Sequence, residues 1–157
     1  MGGRCSSRTR IERRAKLATQ PETVPVAPIS GLVPYLQVAD VERAVEFYRL
    51  LGFEVGNREP KDGKMGWAWL YQPAAPDWKR GANLMVACAE DPVDARAQRA
   101  SLYLYAEDLK ALHAKLESAG VKVGEIRYPF YLPKGEFQTF DPDGYVVNIG
   151  QKFEGTP

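Results

Sequence analysis

The chain has 157 residues, 45% of them hydrophobic and 26% charged, with a formal net charge of +1. That is the balance of a globular protein long enough for one domain or two very small ones around a real core. Nowhere does an apolar run reach the ~18 residues of a membrane-crossing helix, so no membrane partner is expected.

The near-neutral total hides an uneven distribution. Residues 1–30 carry six basic side chains (Arg4, Arg8, Arg10, Arg13, Arg14, Lys16) against Glu12 and Glu22, which leaves the remainder at −3. This stretch lacks the apolar core of a secretory signal. Its Arg-rich, acid-poor composition resembles an organelle leader or a nucleic-acid-contacting arm. Pro21, Pro25, Pro28, Ser30 and Gly31 then form a linker. The expectation is a disordered extension over 1–30, with no nucleic acid as partner. Cys5 and Cys88 have neither disulfide nor zinc spacing, which points to a reduced, cytoplasmic setting.

After the linker, residues 32–38 read as a strand. Asp40 is a good helix N-cap, Glu42 favours the positive end of the helix, and Val41, Ala44, Val45, Tyr48 and Leu51 recur at helical spacing up to Gly52. Phe53-Glu54-Val55 starts a second strand, and a Lys61-Asp62-Gly63 turn leads to a third over 65–71. A loop over 73–77 and a fourth strand over 82–88 complete a βαβββ unit. The unit then returns. Residues 102–106 read as a strand, Asp108 as an N-cap, Leu109, Leu112 and Leu116 as an apolar helix face, Gly120 as a stop, and Val121-Lys122-Val123 as the next strand. At an offset of 68, residues 33–56 and 101–124 share six identities in 24 positions. Chance at about 5–7% per position gives one or two. A tandem duplication follows, with modules over 31–89 and 90–157, the second opening on the linker Glu90–Arg99.

Near the C-terminus, Asp141-Pro142-Asp143-Gly144 supplies a tight turn and Tyr145–Gly150 a short apolar strand. This F-DPDG-Y segment resembles the last hairpin of the vicinal oxygen chelate superfamily, which includes glyoxalase I, extradiol dioxygenases, fosfomycin-resistance enzymes and bleomycin-resistance proteins. The Asp-capped helix ending in Leu50-Leu51-Gly52-Phe53-Glu54-Val55, and Asp108-Leu109 with Ala119-Gly120-Val121, look like the two module signatures of that superfamily. The resemblance covers about residues 32–151. It implies an α+β fold in which two tandem βαβββ modules form a cup-shaped, curled mixed sheet with helices on the outside.

Strand alternation assigns the faces. Leu36, Val38, Leu84, Val86, Leu102, Leu104, Ala106, Val147 and Ile149 suit packing under helices. The opposite face carries Tyr35 and Gln37; Trp67, Trp69 and Tyr71; Asn83 and Met85; Ser101, Tyr103 and Tyr105; and Asn148, with Glu136 on the strand before the turn. Rings with polar tips suit the lining of an organic-ligand pocket, and Tyr128-Pro129-Phe130-Tyr131 and Phe137 would extend it. Metal-dependent members of the superfamily take His, Gln or Glu ligands from the first and fourth strands of each module. The corresponding positions here are Val33, Met85, Ser101 and Asn148, none a good ligand for a hard or borderline divalent ion. The single histidine, His113, lies beside the apolar stripe of the second helix. No P-loop or dinucleotide fingerprint occurs.

Closest in character is the metal-free bleomycin-resistance branch, whose members sequester a drug as dimers. The expected function is therefore binding of an aromatic or cationic organic molecule, antibiotics included, by a homodimer without metal or cofactor. The ligand-binding residues would be Tyr35, Gln37, Trp67, Trp69, Tyr71, Met85, Ser101, Tyr103, Tyr105, Glu136 and Asn148, with no catalytic residue assigned. Two other readings stay open: a metal-independent lyase- or isomerase-type enzyme using Tyr and Glu as acid–base groups, and a structural or regulatory dimer whose cup its own aromatics fill.

Overall fold

Two aspartates start the two helices. Asp40 accepts the Arg43 amide at 3.1 Å and opens α1 (Val41–Leu50); Asp108 accepts the Ala111 amide at 2.9 Å and opens α2 (Leu109–Ser118). Each cap satisfies an amide that the first helical turn leaves unpaired. Each helix also stops where the glycine spacing predicts, at Gly52 (φ +89°) and Gly120 (φ +77°), left-handed positions that favour glycine.

The structure is a computed structural model that describes residues 29, 31–77 and 80–153; the basic extension therefore lies almost wholly outside the described residues. From Gly31 onward the chain forms one unit. Its elements run β1 (Tyr35–Val38), α1, β2 (Glu54–Glu59), β3 (Trp67–Tyr71), β4 (Asn83–Cys88), β5 (Ser101–Ala106), α2, β6 (Glu136–Phe140) and β7 (Val146–Gln151). The first sheet has order β1-β4-β3-β2 and the second β5-β7-β6. In each, the strand before the helix pairs in parallel with the last strand of its module, and the remaining pairs are antiparallel. The protein is a mixed α+β fold of two βαβββ-like modules. Among the described residues no helix is long and apolar enough to cross a membrane.

The second module departs from the expected repeat. The strand expected from Val121 reduces to two isolated bridges, Val123 to Thr139 and Arg127 to Glu136. The equivalent strand in the first module carries Gly56 at a bulge, and pairing resumes through Glu59. After Gly124 only the Arg127 bridge forms before Pro129, which cannot donate to a ladder. Packing is unequal too. Leu36, Val38, Leu84, Val86, Val147 and Ile149 are buried as alternation predicts, but Leu102, Leu104 and Ala106 are only partly buried. The helix cover differs: α1 buries Val41, Ala44, Val45, Phe47 and Tyr48, whereas α2 buries only Leu109 and Leu116.

The turn over 141–144 joins the two modules. Asp141 accepts the amides of Asp143 (3.0 Å) and Tyr145 (2.8 Å), while its other oxygen accepts the Tyr48 hydroxyl of α1 at 3.1 Å. Asp143 accepts the Ala39 amide at 2.8 Å and pairs with Arg43 at 3.1 Å. The Tyr145 hydroxyl donates to the Gln37 carbonyl at 3.0 Å. Gly144 has φ +85°, and a Cβ there would strike the Ala95 carbonyl. Asp141→Ala would strip an acceptor from three buried donors at once, with an expected loss of about 2–4 kcal/mol in urea unfolding. The exposed Asp62→Ala variant should leave the midpoint where it is.

Candidate functional site

On the first sheet, the face away from α1 is built in cross-strand rows. Tyr35 lies opposite Met85 and Met85 opposite Trp69; Ala87 separates Gln37 from Trp67; Asn83 lies opposite Tyr71. Trp69 and Tyr71, two residues apart on one strand, stack with centroids 5.3 Å apart at 16°. The stack is held from two sides. Trp69 Nε1 donates to Asn83 Oδ1 at 3.4 Å, and a Cβ on Gly56 of the neighbouring strand would collide with the indole. Glycine at the bulge therefore lets the indole lie against β2. Trp67, Trp69, Tyr71, Asn83 and Met85 are half-buried, whereas Tyr35 and Gln37 are exposed.

On the second sheet the matching face carries a carboxylate among tyrosines. Tyr103 lies opposite Asn148 and Asn148 opposite Gln138; the next row is Tyr105, Gly150, Glu136. Glu136 accepts the Tyr103 hydroxyl on one oxygen and the Tyr131 hydroxyl on the other, the latter at 2.7 Å. Burial, then the donated hydrogen bond to Glu136, pushes the Tyr103 hydroxyl well above its ordinary pKa; for Tyr131 the bond to Glu136 is the larger cause. Tyr103 and Tyr105 tilt against each other with centroids 5.4 Å apart. Gly150 makes this packing fit: a Cβ there would sit 2.6 Å from Leu132 Cδ2 and 3.4 Å from Tyr103 Cε1. Gln138 Nε2 donates to Asn148 Oδ1 at 3.1 Å.

The sequence-predicted site residues thus fall into two groups, one per sheet. Tyr35, Gln37, Trp67, Trp69, Tyr71 and Met85 share the first; Tyr103, Tyr105, Glu136 and Asn148 share the second, with Ser101 exposed at the start of β5 opposite Val146. Among the described residues no side-chain hydrogen bond joins the groups. Phe137 does not extend this surface. It is 1% exposed and points to the helix side, where the His113 ring meets it edge-on at 4.8 Å. His113 itself is tied to the Gly124 carbonyl at 2.9 Å and serves packing. Strand alternation past the Gly135 turn carries the signal that puts Phe137 inside, since Glu136 and Gln138 face the other way.

Sequence reasoning missed a cavity of about 600 Å³ between residues 72–76 and 80–82 on one side and β5 on the other. Its walls include Leu51, Phe53, Gln72 and Pro76 on one side, and Tyr103, Tyr105, Ala106 and Leu112 on the other. Of the predicted site residues only Tyr103 and Tyr105 line it. The sole sequence signal was the loop itself, because a space enclosed by residues about 30 apart in sequence has no periodicity of its own.

The positions where metal-dependent relatives hold their ion do not fit one here. Val33 precedes β1, Met85 lies opposite Tyr35, Ser101 opposite Val146, and Asn148 is engaged with Gln138. An alkyl group, a thioether, a hydroxyl and an amide do not make a site for a hard or borderline divalent cation. Among the described residues no three His, Cys, Asp or Glu side chains converge elsewhere.

A family model described as Glyoxalase/Bleomycin resistance protein/Dioxygenase superfamily matches residues 27–149. The chain belongs to this superfamily. Solved structures of similar fold include a bleomycin-binding protein complexed with bleomycin, 20% identical, with TM-score 0.62 over 80% of this chain and 100% of that one. An antibiotic binding protein from Streptomyces sp. CB03234 is 21% identical, with TM-score 0.61 over 83% of this chain and 100% of that one. A glyoxalase/bleomycin resistance protein from the same organism is 24% identical, with TM-score 0.59 over 78% and 100%. No curated protein matches the chain in sequence. Within this superfamily scaffold, Gly56 is the residue that sets the Trp69–Tyr71 stack. Gly56→Ala should disturb the near-ultraviolet circular dichroism of the stacked rings and cost about 1–3 kcal/mol by overpacking; an unchanged spectrum would show that the stack does not depend on the bulge glycine.

Proposed function

We propose that this superfamily member is a small-molecule-binding protein that captures a flat, ring-bearing organic compound, antibiotics included, and sequesters it without a metal ion. The Trp69–Tyr71 stack carries the proposal. Two large rings are locked parallel on the face away from the helix, with the indole N–H engaged and the rings half-buried. A fixed stack of this kind presents planar surface to a ligand at little further cost in side-chain entropy. Tyr35, Gln37, Trp67 and Met85 flank it on the same face. Tyr103, Tyr105, Ser101, Glu136 and Asn148 form the second half of the binding surface. The structural neighbours that are a bleomycin-binding protein and an antibiotic binding protein support this reading. A homodimer in the cytoplasm is the proposed working form, with the two halves meeting across or within chains.

One observation favours a second reading, a metal-independent acid–base enzyme: the Tyr103 hydroxyl lies on Glu136. The same geometry weakens it. Both carboxylate oxygens already accept tyrosine hydroxyl hydrogen bonds, and burial makes the Tyr103 hydroxyl a poorer acid, so that hydroxyl is a poor proton donor for catalysis.

Titration of tryptophan emission with bleomycin and with planar aromatic compounds, in excess EDTA, separates the readings. Saturable quenching with the compound recovered unchanged is the expected result. Trp69→Ala should weaken binding about tenfold, the loss of one stacking partner and its buried area. Product formation in EDTA would select the enzyme, and a flat response would leave a structural dimer.

A further inference from the structure

The joint at 141–144 has a pseudo-symmetric counterpart in the first module. In the second module residues 141–145 connect β6 to β7, and the connection closes with the Asp141 amide on the Tyr145 carbonyl at 3.0 Å. In the first, residues 72–82 connect β3 to β4 and close the same way, with the Gln72 amide on the Ala82 carbonyl at 3.0 Å. Gln72 therefore matches Asp141, and Ala82 matches Tyr145. The turn at 141–144 packs on the corner where β1 leads into α1. The equivalent corner, where β5 leads into α2, faces residues 72–76 and 80–82 across the cavity of about 600 Å³.

Side chains explain why one corner is filled and the other is not. At the filled corner the Tyr145 ring is buried and its hydroxyl donates to the Gln37 carbonyl at 3.0 Å. Tyr48 bonds Asp141 there, and Arg43 pairs with Asp143. At the other corner the 68-residue repeat puts Leu116 where Tyr48 would be and Ala111 where Arg43 would be. Ala82, in the place of Tyr145, is exposed. Among the described residues no hydrogen bond or ion pair crosses from 72–77 or 80–82 to β5 or α2. The space that a tyrosine ring fills in one module has no side chain of its own in the other.

The acceptor for a hydroxyl is nevertheless retained. The Lys152 amide donates to the Ala106 carbonyl at 2.8 Å, as the Ala89 amide donates to the Val38 carbonyl at 2.9 Å. Carbonyls alternate in direction along a strand, so the Tyr105 carbonyl turns to the free edge of β5, as the Gln37 carbonyl does on β1. The charged wall residues are already matched: Lys152 with Glu107, Arg80 with Asp77, and Asp108 with the Ala111 amide. Leu51, Phe53, Pro76 and Ile149 add apolar wall. Such a lining suits a neutral, mostly apolar molecule that carries one hydrogen-bond donor.

We propose that this cavity is a binding site for a neutral phenol bearing an apolar substituent. The ring takes the place that Tyr145 takes in the other module, and the phenol hydroxyl donates to the Tyr105 carbonyl. The inference does not rest on the sequestration reading, because neither Trp69 nor Tyr71 lines the cavity.

Titration of the isotope-labelled full chain with para-propylphenol, followed through its amide and indole NMR shifts, tests the site. The amides of Ala106, which shares its peptide group with the Tyr105 carbonyl, and of Leu112 should shift saturably while the Trp69 indole N–H stays put. Para-propylanisole keeps the shape but cannot donate, and should bind about fivefold more weakly, the loss of one hydrogen bond. Ala82→Tyr supplies the ring from the chain itself and should abolish the Ala106 and Leu112 shifts while the rest of the amide spectrum is retained. If that variant does not fold, the phenol-to-ether ratio on the wild-type chain decides. Shifts centred on the Trp69 indole, shifts that persist in Ala82→Tyr, equal affinity for phenol and ether, or no shift at all each overturn the proposal.

Discussion

The closure of the turn at 141–144 onto the corner between β1 and α1 is the constraint on which this structure turns. The contacts are long-range in sequence, Tyr48 to Asp141 and Ala39 to Asp143, and they fix the last hairpin of the second module against the first helix of the first. The chemistry is demanding. Burial holds the Asp141 carboxyl above the usual range even though three donors pull the other way, and burial, then the neighbouring Asp141 charge, pushes up the Tyr48 hydroxyl that bonds to it. Asp143 keeps one oxygen, Oδ2, buried with no hydrogen-bond partner. Two neighbouring carboxylates with one unsatisfied oxygen would be a poor way to stabilise a core. They make sense as a device of specificity, because only this register places Ala39, Arg43 and Tyr48 where the acids need donors.

With that joint fixed, the two modules need not be equally well packed. The first has four strands and a helix whose Val41, Ala44, Val45, Phe47 and Tyr48 are all buried. The second has three strands, two isolated bridges and a helix that buries two residues. Its edge strand leaves Tyr103 and Tyr105 exposed on one side and Leu104 and Ala106 half-covered on the other, and the 600 Å³ cavity opens there. The less complete module is the one whose helix and strands leave more of its sheet uncovered.

Much of this was legible in the sequence, and the reasons are local. Asp40, Gly52, Asp108 and Gly120 mark helix ends because a cap or a left-handed residue is decided within a few positions. The alternation of Trp67, Trp69 and Tyr71 placed those rings on one face because a strand has period two. Legibility failed where long-range geometry decides. The pattern at Val121-Lys122-Val123 is as strand-like as that at Phe53-Glu54-Val55, yet only the latter finds a ladder that continues past its glycine. Phe137 was missed although its signal is local: alternation with Glu136 and Gln138 sends it to the helix side. The turn at 141–144 was readable as a turn, but not as the joint between modules.

The site follows the same logic of glycine as an enabling absence. Gly56 allows the Trp69 indole to lie against the next strand, and Gly150 leaves the gap into which Leu132 and the tyrosines pack beside Glu136. In each sheet one missing Cβ determines how closely aromatic rings approach the backbone, and so how flat and fixed the resulting surface is. A metal centre gains affinity from a few strong bonds at set angles, whereas a surface of rings gains it from area and from having little left to order when a ligand arrives. On the proposed reading, Met85 and Asn148 would serve the second strategy. A thioether on the residue opposite Trp69 and an amide bonded to Gln138 would then add apolar area and fix a neighbouring side chain, which stacking requires and coordination does not.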